Sequence, residues 1–380
     1  MKSTIITALV SVALGQPADA PAQEADLLLQ IQPRKYTAYR SIGAVDIDGR
    51  LDEPSWQRAA WTDLFVDIEG EETKLKPRFS TRAKMLWDDT YFYVAAEMEE
   101  PHVWATLKDR DAIIYHDNDF EVFMDPDGDT HEYYEFEINA FGTEWDLFLV
   151  KPYRDGGPYM TAWDIAGLRT SVAVWGSIND PTDEDQGWSL EIAFPWSVLK
   201  ECAHRPTPPH DGDQWRVNFS RVEWQVEAEP DNEGYAKVEG ASADNWVWSP
   251  QGLIQMHLPE QWGFVRFSTA AVGAEAPGAA FELPPEEEAK LLLREIYYRQ
   301  REFRQETGHY TDNLDSLGVG HRLMRNFMWP PGLEVTQYQF EAWAEEVVDL
   351  HEDGQINRWV IRQDSKTWKV VAPLPRGPAE

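Results

Sequence analysis

The stretch DFEVFMDPDGDTHEYYEFEINAFGTEWDLFLV, residues 119–150, decides the fold class of this chain. Apolar and polar residues alternate through it in three runs, which is the period of a half-buried strand. An Asp- and Gly-rich turn at residues 125–129 separates the first two runs, and the sequence near Gly142 separates the last two. The pattern therefore predicts a meander of antiparallel strands.

The same pattern extends outward on both sides, from about residue 40 to residue 268. Short alternating runs recur at residues 81–99, 187–199 and 215–225, cut by Asp, Gly and Pro, and almost no stretch has helical periodicity. Many short strands separated by turn residues are typical of a β-sandwich. We expect an antiparallel, jelly-roll-like sandwich over residues 40–268.

The period changes after residues 269–285, which are rich in Ala, Gly and Pro and predict a linker. From residue 286 the sequence has an amphipathic helical pattern with acids in its first turn and Gly308 beyond its end. Strand-like runs follow. The sequence predicts a small α+β domain over residues 286–375, so the whole chain is mainly β.

The N-terminal residues 1–22 have the layout of a secretory signal. Lys2 precedes an apolar run that is too short to span a bilayer, and small residues follow up to a cleavage site after Ala22. We expect a secreted or periplasmic protein with residues 23–39 as a lead-in to the sandwich. Cys202 is the single cysteine, so no intramolecular disulfide forms.

The composition points away from nucleic acid and towards a partner with both apolar and polar faces. The chain has 67 acidic and 34 basic residues and a formal net charge of -33, which repels phosphate backbones and anionic lipids. It also has 18 Trp and 14 Tyr, whose rings combine apolar area with a polar group. A sugar is a partner of this kind.

Several blocks of the sequence resemble carbohydrate-binding module family 9-like domains, in the order found there, over residues 40–268. The blocks are DIDGRLDEPSWQRA, TRAKMLWDDTYFYVAAEM, DNDFEVFMDPDGD, YYEFEINAFGTEWD, WSLEIAFPWSVL, WRVNFSRVEW and MHLPEQWGFVRF. The resemblance implies a β-sandwich that holds a sugar, often beside a structural calcium, in exported proteins that work on polysaccharides. The prototype modules clamp a sugar end between two tryptophans and are not enzymes.

Four tryptophans are candidates for stacking on a sugar ring, because recognition of a sugar needs a flat aromatic side chain with hydrogen-bonding groups around it. Trp163 lies in an irregular, Gly-rich segment, and Trp246 and Trp248 have same-face spacing. Trp224 follows a strand with several polar positions. For each of the four, packing in the core is the alternative.

Three polar residues are candidates for the rim around such a sugar. Arg221 shares a strand face with bulky apolar residues, so its guanidinium needs a carboxylate or a ligand oxygen. Glu137 is a candidate partner, and Asn139 points the same way by alternation. The alternative is a structural Arg–Glu pair between two strands.

The acidic turn DPDGDT predicts an irregular calcium site at Asp125, Asp127 and Asp129, with an ordinary Asp/Gly turn as the alternative. It is not an EF-hand, because the glycine stands at the fourth position instead of the sixth. Asp117 and Asp119 offer a second location for calcium.

Three other functions compete with sugar binding. Paired carboxylates could serve a glycoside hydrolase, although so acidic a chain supplies many pairs by chance. Some sandwich domains of distant similarity hold haem, for which the methionines Met85, Met98, Met124 and Met256 are candidate ligands. Finally, REFRQETGHYTDNLDSL, residues 301–317, is similar to the globular part of type IV pilin-like proteins, which implies a surface protein that docks a partner through its C-terminal domain.

Overall fold

The computed structural model of the protein describes residues 21–70, 76–230, 233–274, 281–351 and 354–372. The predicted signal sequence therefore falls mostly outside the described residues, as does the middle of the predicted linker. No described helix is long and apolar enough to cross a membrane.

Four α-helices and nineteen strands make up the described chain. The helices are α1 (Pro21–Gln30), α2 (Pro54–Arg58), α3 (Trp196–Leu199) and α4 (Glu287–Thr307). The first fifteen strands are β1 (Lys35–Arg40), β2 (Val66–Asp67), β3 (Thr81–Trp87), β4 (Tyr91–Glu99), β5 (Asp119–Asp125), β6 (Tyr133–Asn139), β7 (Glu144–Leu149), β8 (Tyr159–Met160), β9 (Arg169–Trp175), β10 (Gly187–Pro195), β11 (Gln214–Glu223), β12 (Val226–Ala228), β13 (Tyr235–Lys237), β14 (Asp244–Val247) and β15 (Gly263–Ala271). The last four are β16 (Gly332–Val335), β17 (Phe340–Glu345), β18 (Asn357–Arg362) and β19 (Thr367–Val371).

The predicted antiparallel β-sandwich is confirmed. One hydrogen-bonded path runs β8-β7-β6-β5-β11-β15-β1-β3-β4-β10-β9, with β14 paired to β11 and β2 paired to β14. The sheet folds over so that the β5-β6-β11 part packs on the β3-β4-β10 part: the ring centroids of Phe136 on β6 and Phe194 on β10 lie 5.7 Å apart. The exception to antiparallel order is β1, which pairs in parallel with both β15 and β3.

The alternation of apolar and polar residues along the strands determines which side chains form the core of the sandwich. In the meander of β5, β6 and β7, the apolar side chains of one face are buried, as at Phe120, Val122 and Phe136. Their neighbours along the strands therefore point to the opposite face of the sheet.

The outer faces of the two layers differ in how they are covered. On the β4-β10 side, α2 and the loop before it lie on the sheet: the indole Nε1 of Trp56 on α2 donates a 2.6 Å hydrogen bond to Glu191, and the backbone N–H of Gly49 in the loop donates a 2.8 Å bond to the same carboxylate. On the β5-β6-β7 side, a cleft of about 930 Å³ stays open to solvent. This cleft is the candidate functional site.

The C-terminal part has its own four-stranded antiparallel sheet, β16-β17-β18-β19, packed on α4. The helix ends at Gly308, which has the left-handed backbone conformation that favours glycine. α1 packs against α4, with Leu28 buried in the same apolar cluster. The α+β character of this part agrees with the sequence prediction.

Candidate functional site

The floor of the cleft is built by the outward-facing residues of β5 and β6. Glu121 and Glu137 stand directly opposite each other in the β5–β6 ladder, and Glu135 follows on the same face of β6. All three line the cleft. Asp119 precedes Glu121 on the same face of β5, so four carboxylates lie on one small area of sheet.

These carboxylates are buried but incompletely hydrogen-bonded. The exposed fraction of each residue is 6% or less, and it is 0% for Asp119. The backbone N–H of Tyr115 donates a 3.0 Å hydrogen bond to Glu137, and that of Val222 donates a 3.1 Å bond to Asp119. Asp119 Oδ2 and Glu135 Oε2 are buried without a hydrogen-bond partner.

Burial raises the pKa of every member of this group, and it raises that of Glu121 to about 7. Repulsion between neighbouring carboxylates is a second cause for the other three. Burial and the neighbouring Glu121 raise the pKa of Glu135 and of Glu137 well above the ordinary range, and the same two causes act on Asp119. The floor thus holds protons more tightly than exposed carboxylates do.

Aromatic side chains form the walls of the cleft. They are Tyr115, Trp145, Tyr153, Tyr159 and Trp224. The three tyrosines are 39–50% exposed, so their rings are available to a ligand. Flat rings above hydrogen-bonding carboxylates match the two surfaces of a sugar, its C–H faces and its hydroxyl rim.

His257 also lines the cleft and is held neutral. Burial lowers its pKa to about 3, and its Nδ1 lies 2.9 Å from the hydroxyl of Tyr133. Its ring packs edge-on against Tyr153 with centroids 4.3 Å apart. His257 therefore fixes the position of an aromatic wall and does not balance the charge of the floor.

Two of the predicted ligand residues, Trp224 and Glu137, lie in this cleft. Trp224 is half-buried, and its indole Nε1 donates a 3.0 Å hydrogen bond to the backbone oxygen of Tyr115. Lys237 Nζ lies 3.4 Å from the centroid of the Trp224 ring. The ring is thus fixed at the edge of the cleft, and both residues stay candidates for sugar contacts.

Trp246 and Trp248 do not reach the cleft. Their exposed fractions are 2% and 1%, and both belong to the core between the two layers. Trp163 is half-buried and stacks on Tyr134, with ring centroids 5.1 Å apart and planes 23° apart. All three rings pack in or against the core of the sandwich, which was the alternative to sugar binding.

The prediction that Arg221 and Glu137 form a polar rim around one sugar is wrong, because their side chains do not meet. Arg221 is fully buried between the layers, where its guanidinium lies 2.7 Å from Glu100 and 2.9 Å from Glu223. Glu137 alternates with core residues on β6 and faces outward, so the two side chains lie on opposite faces of the layer. Arg221 therefore forms structural ion pairs, and its partners are Glu100 and Glu223 instead of the predicted Glu137.

Asn139 is also buried in internal contacts. Its side-chain amide donates to the backbone oxygen of Leu107 at 2.9 Å and to Asp117 at 3.0 Å, and its Oδ1 accepts from the turn at Thr143. Asp117 in turn accepts hydrogen bonds from residues 106 and 107. These residues hold the loop before β5 and present no group to the cleft.

The acidic turn at Asp125, Asp127 and Asp129, where the sequence predicts calcium, brings ligand oxygens of its three carboxylates within 4.8 Å of one another. Cationic side chains from the C-terminal part lie beside it. Lys366 Nζ is 3.1 Å from Asp129, and Lys290 Nζ is 3.4 Å from the backbone oxygen of Gly128. The turn therefore contacts α4 and the β18–β19 hairpin.

The methionines nominated as haem ligands lie mostly in the core. Met85, Met98 and Met124 are at most 1% exposed and pack among apolar side chains. Met256 lines the cleft, beside His257. Core packing thus describes three of the four.

Sequence analysis missed several cleft residues that alternation could have found. Glu121 and Glu135 stand two residues from other outward-facing acids, and Trp145 is the ladder partner of Glu137 on β7. What the sequence lacked was the register between strands, which decides which outward residues meet. Tyr115 lies in a short 3-10 helix and His257 in a loop, so neither carries such a signal.

Comparison with known proteins gives one family for the sandwich. Residues 47–211 match the family described as carbohydrate family 9 binding domain-like. This match covers β5, β6 and β7, which carry the floor of the cleft, and confirms the predicted resemblance for that part of the chain. Comparison with curated proteins gave no match.

Among solved structures, two similar chains are a family 9 carbohydrate-binding module from Caldicellulosiruptor kristjanssonii in complexes with cellotriose and with glucose. They are 17% and 16% identical, cover 64% of this chain and 99% and 100% of their own, and both have a TM-score of 0.40. A third, from Bacteroides uniformis, is described as a candidate carbohydrate-binding protein. It is 18% identical, covers 62% of this chain and 100% of its own, and has a TM-score of 0.46.

Proposed function

We propose that the chain is an exported, non-catalytic protein that binds a sugar of a polysaccharide in the cleft on the outer face of β5, β6 and β7. The observation that carries the proposal is the pairing of exposed tyrosine rings with a carboxylate floor, all within the residues 47–211 that match the carbohydrate family 9 binding domain-like family. The rings stack on the C–H faces of the sugar, and the carboxylates accept hydrogen bonds from its hydroxyls.

The shape of the cleft favours reversible binding of one or two sugar units. Its volume of about 930 Å³ lies in the range of small-ligand sites, but it is open along one side. Stacking and hydrogen bonds made in contact with solvent gain little once the ordering of the ligand is included. We expect weak binding that is strengthened when several units of a polysaccharide are engaged.

Trp224→Ala tests the proposal. We expect calorimetric titration with cellulose- and xylan-derived oligosaccharides to show binding by the natural protein and at least about a fivefold loss of affinity in the variant, because a stacked ring contributes on the order of 1 kcal/mol or more. The melting temperature should change little, since Trp224 is only half-buried.

Trp175→Ala is the matched control. Trp175 is 38% exposed and lies at the end of β9, on the other layer of the sandwich. Its replacement should leave binding unchanged. Equal losses in both variants, or full binding by Trp224→Ala, would place the sugar elsewhere, and release of reducing sugar during the titration would indicate a hydrolase.

A further inference from the structure

Three groups of acidic side chains come close together in the described part of the chain, and two of them have cationic partners. Arg110 contacts all of Asp111, Asp146 and Asp164, and its Nη2 lies 2.6 Å from Asp146. The turn at residues 125–129 has Lys366 and, nearby, Lys290. In both places a positive side chain offsets the repulsion between carboxylates.

The third group, formed by Asp119, Glu121 and Glu137, has no such partner. No Lys, Arg or His nitrogen of the described residues forms an ion pair with these three carboxylates or with Glu135 beside them. The β5–β6 ladder places Glu121 directly opposite Glu137, an arrangement of like charges that destabilises a sheet. A buried group of this kind needs a positive charge from outside the chain or bound protons.

The geometry of the group suits a hard cation. Ligand oxygens of Asp119, Glu121 and Glu137 all lie within 4.8 Å of one another. Oxygens on opposite sides of a calcium ion are about 4.8 Å apart, because each lies about 2.4 Å from the ion. Asp119 Oδ2 and Glu135 Oε2 are buried and have no hydrogen-bond partner, so neither would lose a hydrogen bond on binding a cation.

We propose that Asp119, Glu121 and Glu137, with Glu135 beside them, bind a divalent cation of the Ca²⁺ type in the floor of the cleft, and that the cation coordinates vicinal hydroxyls of the bound sugar. The second half of this proposal rests on the proposed function. Ca²⁺ takes 6–8 oxygen ligands, so a few protein carboxylates leave coordination positions for ligand hydroxyls on the open side. The aromatic walls would then hold the ring while the cation holds its rim.

The cation site is tested without any sugar. The probe is Tb³⁺, which takes the oxygen ligands of Ca²⁺ and emits when a nearby indole is excited. Trp145 is the ladder partner of Glu137 and serves as that indole. We expect saturable Tb³⁺ emission that Ca²⁺ displaces, with affinity at least about tenfold lower in Glu121→Gln and in Glu137→Gln, because each removes a ligand charge.

Both variants keep the shape of the side chain and an oxygen that accepts a hydrogen bond, so loss of affinity would not reflect misfolding. Glu97→Gln is the matched control, the same replacement at an exposed carboxylate on β4 that is paired with Arg82. Loss of Tb³⁺ binding in the control alone, or no saturable binding by the natural protein, overturns the cation site.

The bridge to the sugar is tested by repeating the oligosaccharide titration with Ca²⁺ and with a chelator. Sugar binding that needs Ca²⁺ and is lost in Glu121→Gln supports the bridge. Sugar binding that survives the chelator overturns the bridge and leaves the proposed function standing. Tb³⁺ binding without any sugar binding would uphold the cation site and reject the proposed function.

Discussion

At the scale of single residues, Arg221 holds the interior of the sandwich together electrostatically. Its guanidinium donates to buried Glu100, Glu223 and the hydroxyl of Thr81, and also to the backbone oxygen of residue 99. Arg221→Met should lower the free energy of unfolding by about 3–5 kcal/mol, because two carboxylates then stay buried without their cation. Urea unfolding followed by tryptophan fluorescence measures this.

Arg82→Met is the control for that measurement. Arg82 pairs with Glu97 at 2.7 Å, but both side chains are 42% exposed, so its loss should cost less than about 1 kcal/mol. Equal effects of the two replacements would show that burial of the Arg221 cluster contributes nothing.

Residue types alone predicted too many ligands. Trp246 and Trp248 have the composition of a sugar platform, yet both fill the core, where a large apolar ring gains more from burial. Alternation correctly placed Arg221 on the core face. Alternation also places Glu223, two residues further along β11, on that face. It could not name Glu100 as a partner, because the contact with the end of β4 depends on how the two layers stack.

At the scale of elements, the loop before α2 seals one outer face of the sandwich and leaves the other for the cleft. Gly49 makes this possible: its φ is +86°, and a Cβ there would lie 2.7 Å from the backbone nitrogen of Ala173 on β9. Gly49→Ala should destabilise the protein by about 1–3 kcal/mol beyond the cost of the backbone conformation, since the loop must move off the sheet.

Gly43→Ala measures the cost of the backbone conformation without the steric clash against β9. Gly43 has a similar φ of +91°, but a Cβ at this position would meet nothing within 4 Å, so only the conformational cost of about 1–2 kcal/mol applies. Thermal unfolding of both variants measures the difference. If they melt together, the loop does not depend on the close approach to β9.

The strands themselves were predictable, because period-two alternation survives in almost every one of them. The parallel pairing of β1 with β15 was not, since it joins residues more than 200 positions apart in the chain. The cleft depends on the same kind of long-range register: Trp224, Glu137 and His257 reach it from three separate regions of the sequence. The alternation of apolar and polar residues thus predicted which side chains share a face of each strand. Which strands pair, and which of their side chains meet, depends on long-range packing that this local pattern does not encode.

At the scale of the whole molecule, the C-terminal part is fastened to the sandwich by buried charges. Arg154 donates two hydrogen bonds to Glu260, at 2.6 and 3.0 Å, and Tyr298 on α4 donates to the same carboxylate. Tyr297 on α4 donates a 2.7 Å bond to Asp155. The helix is therefore bound to the loops next to the cleft, and the two parts should unfold in one transition.

Glu260→Gln should weaken this attachment in a pH-dependent way. Burial alone would raise the pKa of Glu260, but Arg154 and Arg294 outweigh it and lower the pKa to about 2, below the unfolded value of 4.5. A carboxylate with a lowered pKa stabilises the folded protein above its unfolded pKa and loses that contribution as the pH falls through the folded pKa. The natural protein should exceed the variant by about 3 kcal/mol at pH 7, and the difference should shrink as the pH falls from about 4.5 towards 2. Urea unfolding across that pH range measures the difference, and a constant gap at every pH would mean that the charge of Glu260 does not fasten the two parts.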